Sequence, residues 1–247
     1  MGVPNFGFRA GDALLVTGAG SGIGRAVARR GAEMGLAISG WDINPAGLEQ
    51  TESAITAAGG RFHTWVGDVT DADVAHAGIA DATATLGPIT MLHNNAGPPS
   101  SAQMSFDDAL VACIGSVRTM TDAWAAANPG DGAAMVVTSS VAGNLVGTDN
   151  NWYSASKAAL AGYVRHLAAH RAGEFRSNAV APGMTDTPRL AGFAASEMGQ
   201  HVLSKVPLKR MASPDDIAYA TLFLISPVAS YINGVFLPVD GGWTVAQ

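Results

Sequence analysis

The chain alternates short apolar runs with longer, alanine-rich segments in which apolar residues recur at helical spacing. The predicted strands read ALLVTG, AISGWD, FHTWVGDV, ITMLHNNAG, AAMVVTSS, SNAVAPG and GVFLPVDGG. The predicted helices cover 22–35, 45–58, 71–86, 103–127, 152–172 and 214–225. This alternation predicts an α/β fold of the Rossmann type, a doubly wound parallel sheet with helices on both faces. A chain of 247 residues with no linker forms one core, so we expect a single domain over 1–247.

Glycine and polar residues stand directly after most of the apolar runs. They occupy 18–24, 42, 68, 94–97, 139–140 and 182–188. Because the carboxyl ends of parallel strands collect at one edge of a sheet, where ligands of such folds bind, we expect these residues to form one site.

The segment 184–212 has no strand character and carries the apolar residues Leu190, Phe193, Met198 and Val202. An apolar excursion at the ligand edge predicts a small substrate lid. The same residues also fit packing against the core or against a neighbouring subunit.

Composition narrows the classes of function. Charged residues make up 14% of the chain and the net charge is −6, which does not fit nucleic-acid binding. Cys113 is the single cysteine, so no intrachain disulfide is expected, and the sequence lacks the close ligand spacing of a zinc site. No stretch approaches the ~18 to 20 apolar residues of a membrane span, and the first residues lack a signal pattern. We therefore expect a cytoplasmic protein without metal, membrane or nucleic-acid partners.

The run LLVTGAGSGIGRAVARR leads from a strand through Gly18, Gly20, Gly22 and Gly24 into a helix. Glycine permits positive φ and lets backbone N–H groups and the helix N-terminus approach a pyrophosphate. A glycine-rich turn also occurs as a plain tight loop. Its position between strand and helix favours a dinucleotide-binding site.

Asp42 ends the second predicted strand, roughly 20 residues after the glycines, where a carboxylate accepts hydrogen bonds from an adenosine ribose. Its charge would repel a 2′-phosphate, and no Arg or Lys stands in the glycine loop before Gly24 or directly after Asp42. NAD is therefore favoured over NADP as the cofactor. Asp42 also fits a turn or helix-cap residue, and Asp68 and 94–97 also fit ordinary turn chemistry.

Tyr153 and Lys157 lie four residues apart, on the same face of a predicted helix. A free tyrosine is a poor base at neutral pH, but an ammonium ~4 Å away at an effective dielectric near 20 favours tyrosinate by at most ~4 kcal/mol. Such a phenol can accept an alcohol proton while hydride leaves the carbon. Ser140, at the end of the fifth strand, would hold the substrate oxygen. A lone YxxxK pair more often covers a helix surface, but here it accompanies the other motifs.

Together, TGAGSGIG, NNAG, SSVAG, YSASK, APGMTDTP and YINGVFLPVDGG resemble the short-chain dehydrogenase/reductase family, in its compact single-domain branch. The resemblance covers roughly 10–243. It implies an NAD-dependent interconversion of a secondary alcohol and its ketone, with Tyr153 as acid/base, Lys157 beside it and Ser140 polarising the substrate. The implied cofactor-binding residues are Gly18, Ser21, Gly22, Ile23, Gly24, Asp42, Asp68, Val69, Asn95, Ala96, Gly97, Tyr153, Lys157, Pro182, Gly183, Thr185 and Thr187. Family members are commonly tetramers, so a homotetramer is expected.

Cys113 departs from the family pattern, which has an asparagine at this position in a water relay behind the lysine. Either backbone groups and water maintain the relay, or proton transfer is impaired and the chain is a weakly active or non-catalytic nucleotide-binding protein. A mid-helix thiol among apolar residues is not expected to be a nucleophile.

The substrate itself is not fixed by the sequence. The apolar lid residues, together with Leu145, Val146 and Trp152, favour an apolar or aromatic-bearing alcohol. Asn144, Asp149 and Asn150 fit a polyol or a sugar instead. An enzyme that reduces carrier-bound ketoacyl groups would be expected to use NADPH and to carry a basic docking surface. Asp42 argues against NADPH, and the net charge of −6 argues against a basic surface.

Overall fold

A computed structural model of the protein describes residues 5–144 and 150–246. The strands are β1 Ala13–Thr17, β2 Ala37–Asp42, β3 Phe62–Val66, β4 Met91–Asn94, β5 Ala134–Thr138, β6 Arg176–Pro182 and β7 Phe236–Val239. They form one sheet in the order β3-β2-β1-β4-β5-β6-β7, and all six neighbouring pairs are parallel. The predicted doubly wound α/β fold is confirmed. The strand order reverses between β1 and β4, which makes a crevice at their carboxyl ends.

Helices cover both faces of the sheet. They are α1 Gly22–Glu33, α2 Pro45–Ala57, α3 Ala72–Leu86, α4 Phe106–Leu110, α5 Ser116–Ala126, α6 Asn151–His170, α7 Glu197–Lys205 and α8 Pro214–Ile225. One apolar core includes Val27, Leu48 and Leu222, from α1, α2 and α8. The other includes Ile79, Trp124 and Leu160, from α3, α5 and α6. Every residue of β1 and β5 is buried, as both faces of a covered parallel strand require.

The predicted helix over 103–127 is interrupted. Ser105 caps α4 by accepting the N–H of Asp108, so the helix begins at Phe106 rather than at 103. A π-helical turn, Val111–Gly115, then separates α4 from α5, and Ser116 N–H bonds to Val111 O across it. A π turn adds one residue to the helix. The pattern of apolar residues along the sequence does not reveal this insertion.

The segment 184–212 contains one helix that the sequence did not predict. After short 3₁₀ turns at Pro188–Leu190 and Phe193–Ala195, α7 begins at Ser196, whose hydroxyl accepts the N–H of Gly199. Its only strongly exposed apolar residue among those we singled out is Met198, at 62%. The role of this segment as a lid stays a prediction.

Three residues that the sequence analysis considered for substrate contact are not among those that the structure describes. Leu145, Val146 and Asp149 lie outside the described residues. Within the described ranges, every helix is too short or too polar to cross a membrane.

His93 is an unusual residue at the centre of the sheet, on β4. It is completely buried, and its Nε2 lies 2.8 Å from Thr138 Oγ1. Its Nδ1 has no hydrogen-bond partner among the described residues. Burial disfavours the charged imidazolium and lowers the pKa of His93 from 6.5 to about 3. The folded protein therefore holds this imidazole neutral.

The neutral His93 predicts a loss of stability in acid. Below pH 6.5 the unfolded chain binds a proton that the folded chain rejects until about pH 3, so the stabilisation present above pH 6.5 is lost over that window. The free energy of unfolding should fall there with a slope up to about 1.4 kcal/mol per pH unit from this residue. Urea unfolding at several pH values measures it. His93→Leu should flatten the slope, whereas His76→Leu, at an exposed position on α3, should not. Equal slopes in wild type and His93→Leu would contradict this.

Candidate active site

The turn from β1 into α1 requires glycine at two positions. Gly18 has φ +69°, and a Cβ there would lie 2.8 Å from Asn95 Nδ2. A Cβ at Gly24 would lie 2.1 Å from Gly18 O. The tight turn brings the start of α1, with Ser21 at its N-cap and Gly22 and Ile23 following, to the crevice. The free N–H groups of a helix start bind anions, so this cradle fits a pyrophosphate.

Asp42 lies beside this turn. Its Oδ2 accepts the N–H of Gly20 at 2.9 Å, and its Oδ1 accepts the N–H of Asn44 at 3.0 Å. Asn44, and not Asp42, caps α2, because its side chain accepts the N–H of Gly47. Asp42 is therefore both a turn residue and the carboxylate that faces the glycine loop.

Arg25 also holds the glycine loop, and the sequence reasoning missed it. Its guanidinium donates to Gly20 O, to Gly47 O at 3.2 Å and to Gln50 Oε1 at 3.0 Å, and its Nε donates to Thr51 Oγ1 at 3.1 Å. These bonds fix the loop to α2. A signal was present in the sequence, since Arg25 is a basic residue directly after Gly24, the last glycine of the loop.

Thr17 is a second missed residue. Its Oγ1 accepts the N–H groups of Asn95 and Ala96, at 2.9 and 3.0 Å, and Asn95 Nδ2 donates to Thr17 O at 3.1 Å. The loop 94–97 is thereby fixed to the end of β1. In the sequence Thr17 begins the glycine motif TGAGSGIG, but its bonds to the 94–97 loop are not visible there.

Asp68 and Val69 follow β3 at the same edge. The Asp68 carboxylate accepts the N–H of Thr70 at 2.9 Å and its hydroxyl at 2.8 Å, which is turn chemistry. Asp68 is exposed, while Val69 packs partly against the core.

Tyr153 and Lys157 lie together on the first turns of α6. Lys157 Nζ is 5.7 Å from the centroid of the Tyr153 ring and donates to Thr138 O at 3.0 Å. Ser139 Oγ donates to the main-chain carbonyl of Lys157 at 2.8 Å. Ser140 Oγ accepts the N–H of Ala142 at 3.2 Å. The end of β5 thus holds the lysine at two points.

The segment after β6 reaches across the crevice. Pro182 ends β6, and Thr185 Oγ1 donates to Gly183 O at 3.1 Å. A Cβ placed on Gly22 would lie 3.3 Å from Thr187 Cγ2, so the threonine methyl lies next to the start of α1.

Further on, Arg189 Nη2 donates to Gly97 O at 2.8 Å. Asn150, before α6, donates to Ser100 O at 2.9 Å. The structure therefore brings the segment 185–189 to the glycine loop at one end and to the 94–97 loop at the other.

Cys113 lies in the π-helical turn and is buried. It forms a small apolar cluster with Ala109 and Trp152, and Tyr153 packs partly against this cluster. The rings of Trp152 and Tyr153 meet edge to face with centroids 5.6 Å apart. The thiol therefore supports the start of α6. In the described ranges no group of three or more His, Cys, Asp and Glu side chains is arranged to hold a metal ion.

Comparisons with known proteins show what this chain is similar to. Residues 18–244 match a family model described as enoyl-(acyl carrier protein) reductase. The chain is 37% identical to cis-4-hydroxycyclohexanecarboxylate dehydrogenase of Sinomonas cyclohexanicum, over 93% of this chain and 95% of that protein.

Two solved structures are also similar. A 7α-hydroxysteroid dehydrogenase complexed with NADH and 7-oxo glycochenodeoxycholic acid gives a TM-score of 0.89 at 31% identity, over 96% of both chains. A short-chain dehydrogenase of Burkholderia cenocepacia J2315 in complex with NADP gives 0.86 at 28% identity, over 95% of this chain and 98% of that one.

The chain belongs to the short-chain dehydrogenase/reductase family. Its relatives are named dehydrogenases, which supports an NAD(P)-dependent oxidoreductase.

Proposed function

We propose that this short-chain dehydrogenase/reductase interconverts a secondary alcohol and its ketone with NAD. The observation that carries the proposal is the position of Lys157 Nζ, 5.7 Å from the centre of the Tyr153 ring and fixed by Thr138 O. A fixed cation beside a phenol stabilises the phenolate, which is the form that accepts a proton.

The residues at the end of β5 complete the mechanism. Because Ser140 Oγ accepts the N–H of Ala142, its own O–H is available to donate to a substrate oxygen. Tyr153 takes the proton of the bound alcohol in the oxidative direction and returns it to the ketone oxygen in the reductive direction. The nicotinamide, when bound, supplies the acceptor or donor of hydride. Lys157 lies beside the phenol and would also bind the nicotinamide-side ribose.

The other proposed contacts to the cofactor follow the edge of the sheet. Gly18 to Gly24 and the start of α1 would hold the pyrophosphate, and Asp68 with Val69 would border the adenine. Asn95, Ala96 and Gly97 would border the nicotinamide ribose. Pro182, Gly183, Thr185 and Thr187 would hold the carboxamide. The expected homotetramer stays a prediction.

The preference for NAD is supported by Asp42. Its carboxylate lies against the glycine loop, where it would accept the ribose hydroxyls and repel a 2′-phosphate. Arg25 keeps its positive charge, but four acceptors on the loop and on α2 bind its Nε and Nη2, which leaves only Nη1 without a partner among the described residues.

We propose an alicyclic secondary alcohol as the substrate. Names of two relatives place the reaction on a cyclohexane ring and on a steroid. In this chain the segment 184–212, proposed as a lid, contains a cavity of about 410 Å³ lined in part by Leu190, Ala194, Leu203 and Met211. The polar residues Asp186, Arg210 and Ser213 also line it. Pockets of this volume accept molecules of that size. Trp152, although apolar, is buried and does not line this cavity.

Replacing Tyr153 by Phe should lower kcat by about 10²- to 10⁴-fold, because the proton acceptor is lost. NADH affinity should remain close to that of the wild type. The measurement is the absorbance of NADH formed from a panel of secondary alcohols, with NADH fluorescence titration for binding. Tyr163→Phe, on the same helix, is the control and should keep full activity. An unchanged rate in Tyr153→Phe would refute the mechanism, and no turnover by the wild type across the panel with either cofactor would refute the function.

Replacing Asp42 by Ala should lower kcat/KM for NAD by about 10- to 100-fold, since a hydrogen-bonding carboxylate is lost. The ratio of NAD to NADP efficiency should fall, because the charge that repels the 2′-phosphate is gone. Asp12→Ala removes a carboxylate that also accepts a backbone N–H, from Arg9 at 2.9 Å, but lies before β1 at the opposite edge. It should leave the ratio unchanged. An Asp42→Ala variant with wild-type cofactor preference would contradict this assignment.

Cys113 should not limit the reaction. The π-helical turn disrupts the regular hydrogen-bond ladder at this residue, and such sites take up water at backbone groups. Cys113→Ala should therefore keep kcat within about threefold, judged against the ~0.6 kcal/mol of thermal energy. Cys113→Asn, which restores the family residue, should give no gain. Activation of Cys113→Asn by tenfold or more would instead show an impaired relay and favour the weakly active nucleotide-binding protein.

A further inference from the structure

Among the described residues, no carboxylate pairs with the guanidinium of Arg189. It lies exposed in the 3₁₀ turn Pro188–Leu190, directly after the segment that crosses the crevice. Its Nη2 donates to Gly97 O at 2.8 Å. Among the described residues this is its one hydrogen bond, and it forms no ion pair there.

Two other arginines near the same edge make more hydrogen bonds than Arg189. Arg25 is held by four acceptors of the glycine loop and α2. Arg210 pairs with Asp216, with Nη1 2.7 Å from Oδ2. A guanidinium carries five N–H donors in a planar fork, so Arg189 keeps Nε and Nη1 available while Nη2 is bound to Gly97. In a chain of net charge −6, this is a local cation at the mouth of the site.

The neighbours of Arg189 place it between two parts of the site. Leu190, the next residue, lines the 410 Å³ cavity of the proposed lid. Gly97, its hydrogen-bond partner, ends the loop that Thr17 fixes to β1 through Asn95 and Ala96. The guanidinium therefore lies at the loop after β4, one residue before a residue that lines the cavity.

We propose that Arg189 binds a carboxylate on the substrate, so that the substrate is an alicyclic secondary alcohol or ketone bearing an acid group. This rests on the proposed function. Nη2 carries two hydrogens and gives one to Gly97 O, so it can still donate the other beside Nε or beside Nη1, as the pair of parallel hydrogen bonds that a carboxylate accepts. The bond from Nη2 to Gly97 O holds the fork in place before the substrate arrives.

A phosphate of the dinucleotide offers the same oxyanion chemistry. The pyrophosphate already has the N–H groups at the start of α1, which lie on the other side of the crossing segment, next to Thr187. Arg189 follows Thr187 towards the lid. The substrate is therefore the favoured source of the anion, and the experiment separates the two.

The test compares 4-oxocyclohexanecarboxylate with its methyl ester. Wild type should show the higher kcat/KM for the acid. Arg189→Met, which keeps the length of the side chain but removes its charge, should lower the acid-to-ester ratio by about 10- to 100-fold. Arg189→Lys should fall between, since it keeps the charge and loses the fork. Arg61→Met is the matched control, because Arg61 is also exposed and also donates to one carbonyl, Thr85 O at 3.3 Å, at the opposite edge of the sheet.

Binding distinguishes a failure of this inference from a failure of the proposed function. The NADH complex is titrated calorimetrically with cyclohexanecarboxylate, which needs no turnover. Binding by wild type and Arg61→Met that is lost in Arg189→Met supports the inference even if no ketone is reduced. An acid-to-ester ratio or a carboxylate affinity that is unchanged in Arg189→Met overturns it. Weaker binding of NADH itself, with an unchanged ratio, overturns it in favour of the pyrophosphate.

Discussion

The site depends on how the end of β5 is joined to α6. Lys157 makes two hydrogen bonds at this junction. Its side chain donates to Thr138 O, and its main-chain carbonyl accepts the hydroxyl of Ser139. A Cβ on Gly143 would lie 2.4 Å from the carbonyl carbon of Lys157, so the chain after β5 approaches the helix as closely as glycine allows. Strand and helix are therefore fixed at the residue whose charge the proposed mechanism uses. These bonds hold the ammonium beside the phenol, although solvent competes for its donors and the lysine side chain loses conformational entropy.

The remaining loops are organised by acceptors and donors at the strand ends. Thr17 fixes the loop after β4, Asp42 and Arg25 fix the glycine loop, and the segment after β6 reaches the loop after β4 through Arg189. None of these bonds belongs to a strand ladder or a helix. The sheet brings the loops to one edge. Hydrogen bonds between loops that are far apart in the sequence then give the crevice its shape.

The sequence predicted the architecture well, because most of the buried parallel strands are nearly continuous apolar runs and the predicted helices carry apolar residues at helical spacing. It predicted which loops meet, since the carboxyl ends of parallel strands share an edge. It did not predict the π turn at Cys113, which leaves no pattern of residue types, or α7, a helix of only nine residues. It also missed the bonds from Thr17 to the 94–97 loop and from Arg25 to the glycine loop, because these bonds go to main-chain atoms. Hydrogen bonds to backbone groups leave no pattern of residue types to read.

The outermost strand, β7, contains Pro238, which is exposed and lacks an N–H group. A strand that carries proline presents an incomplete row of donors, so it cannot template another strand along its free side. Addition of an eighth strand on the β7 side is therefore disfavoured. Contacts that copies of this chain make near β7 would have to form through side chains, and edge-to-edge growth into fibrils is disfavoured from the outset.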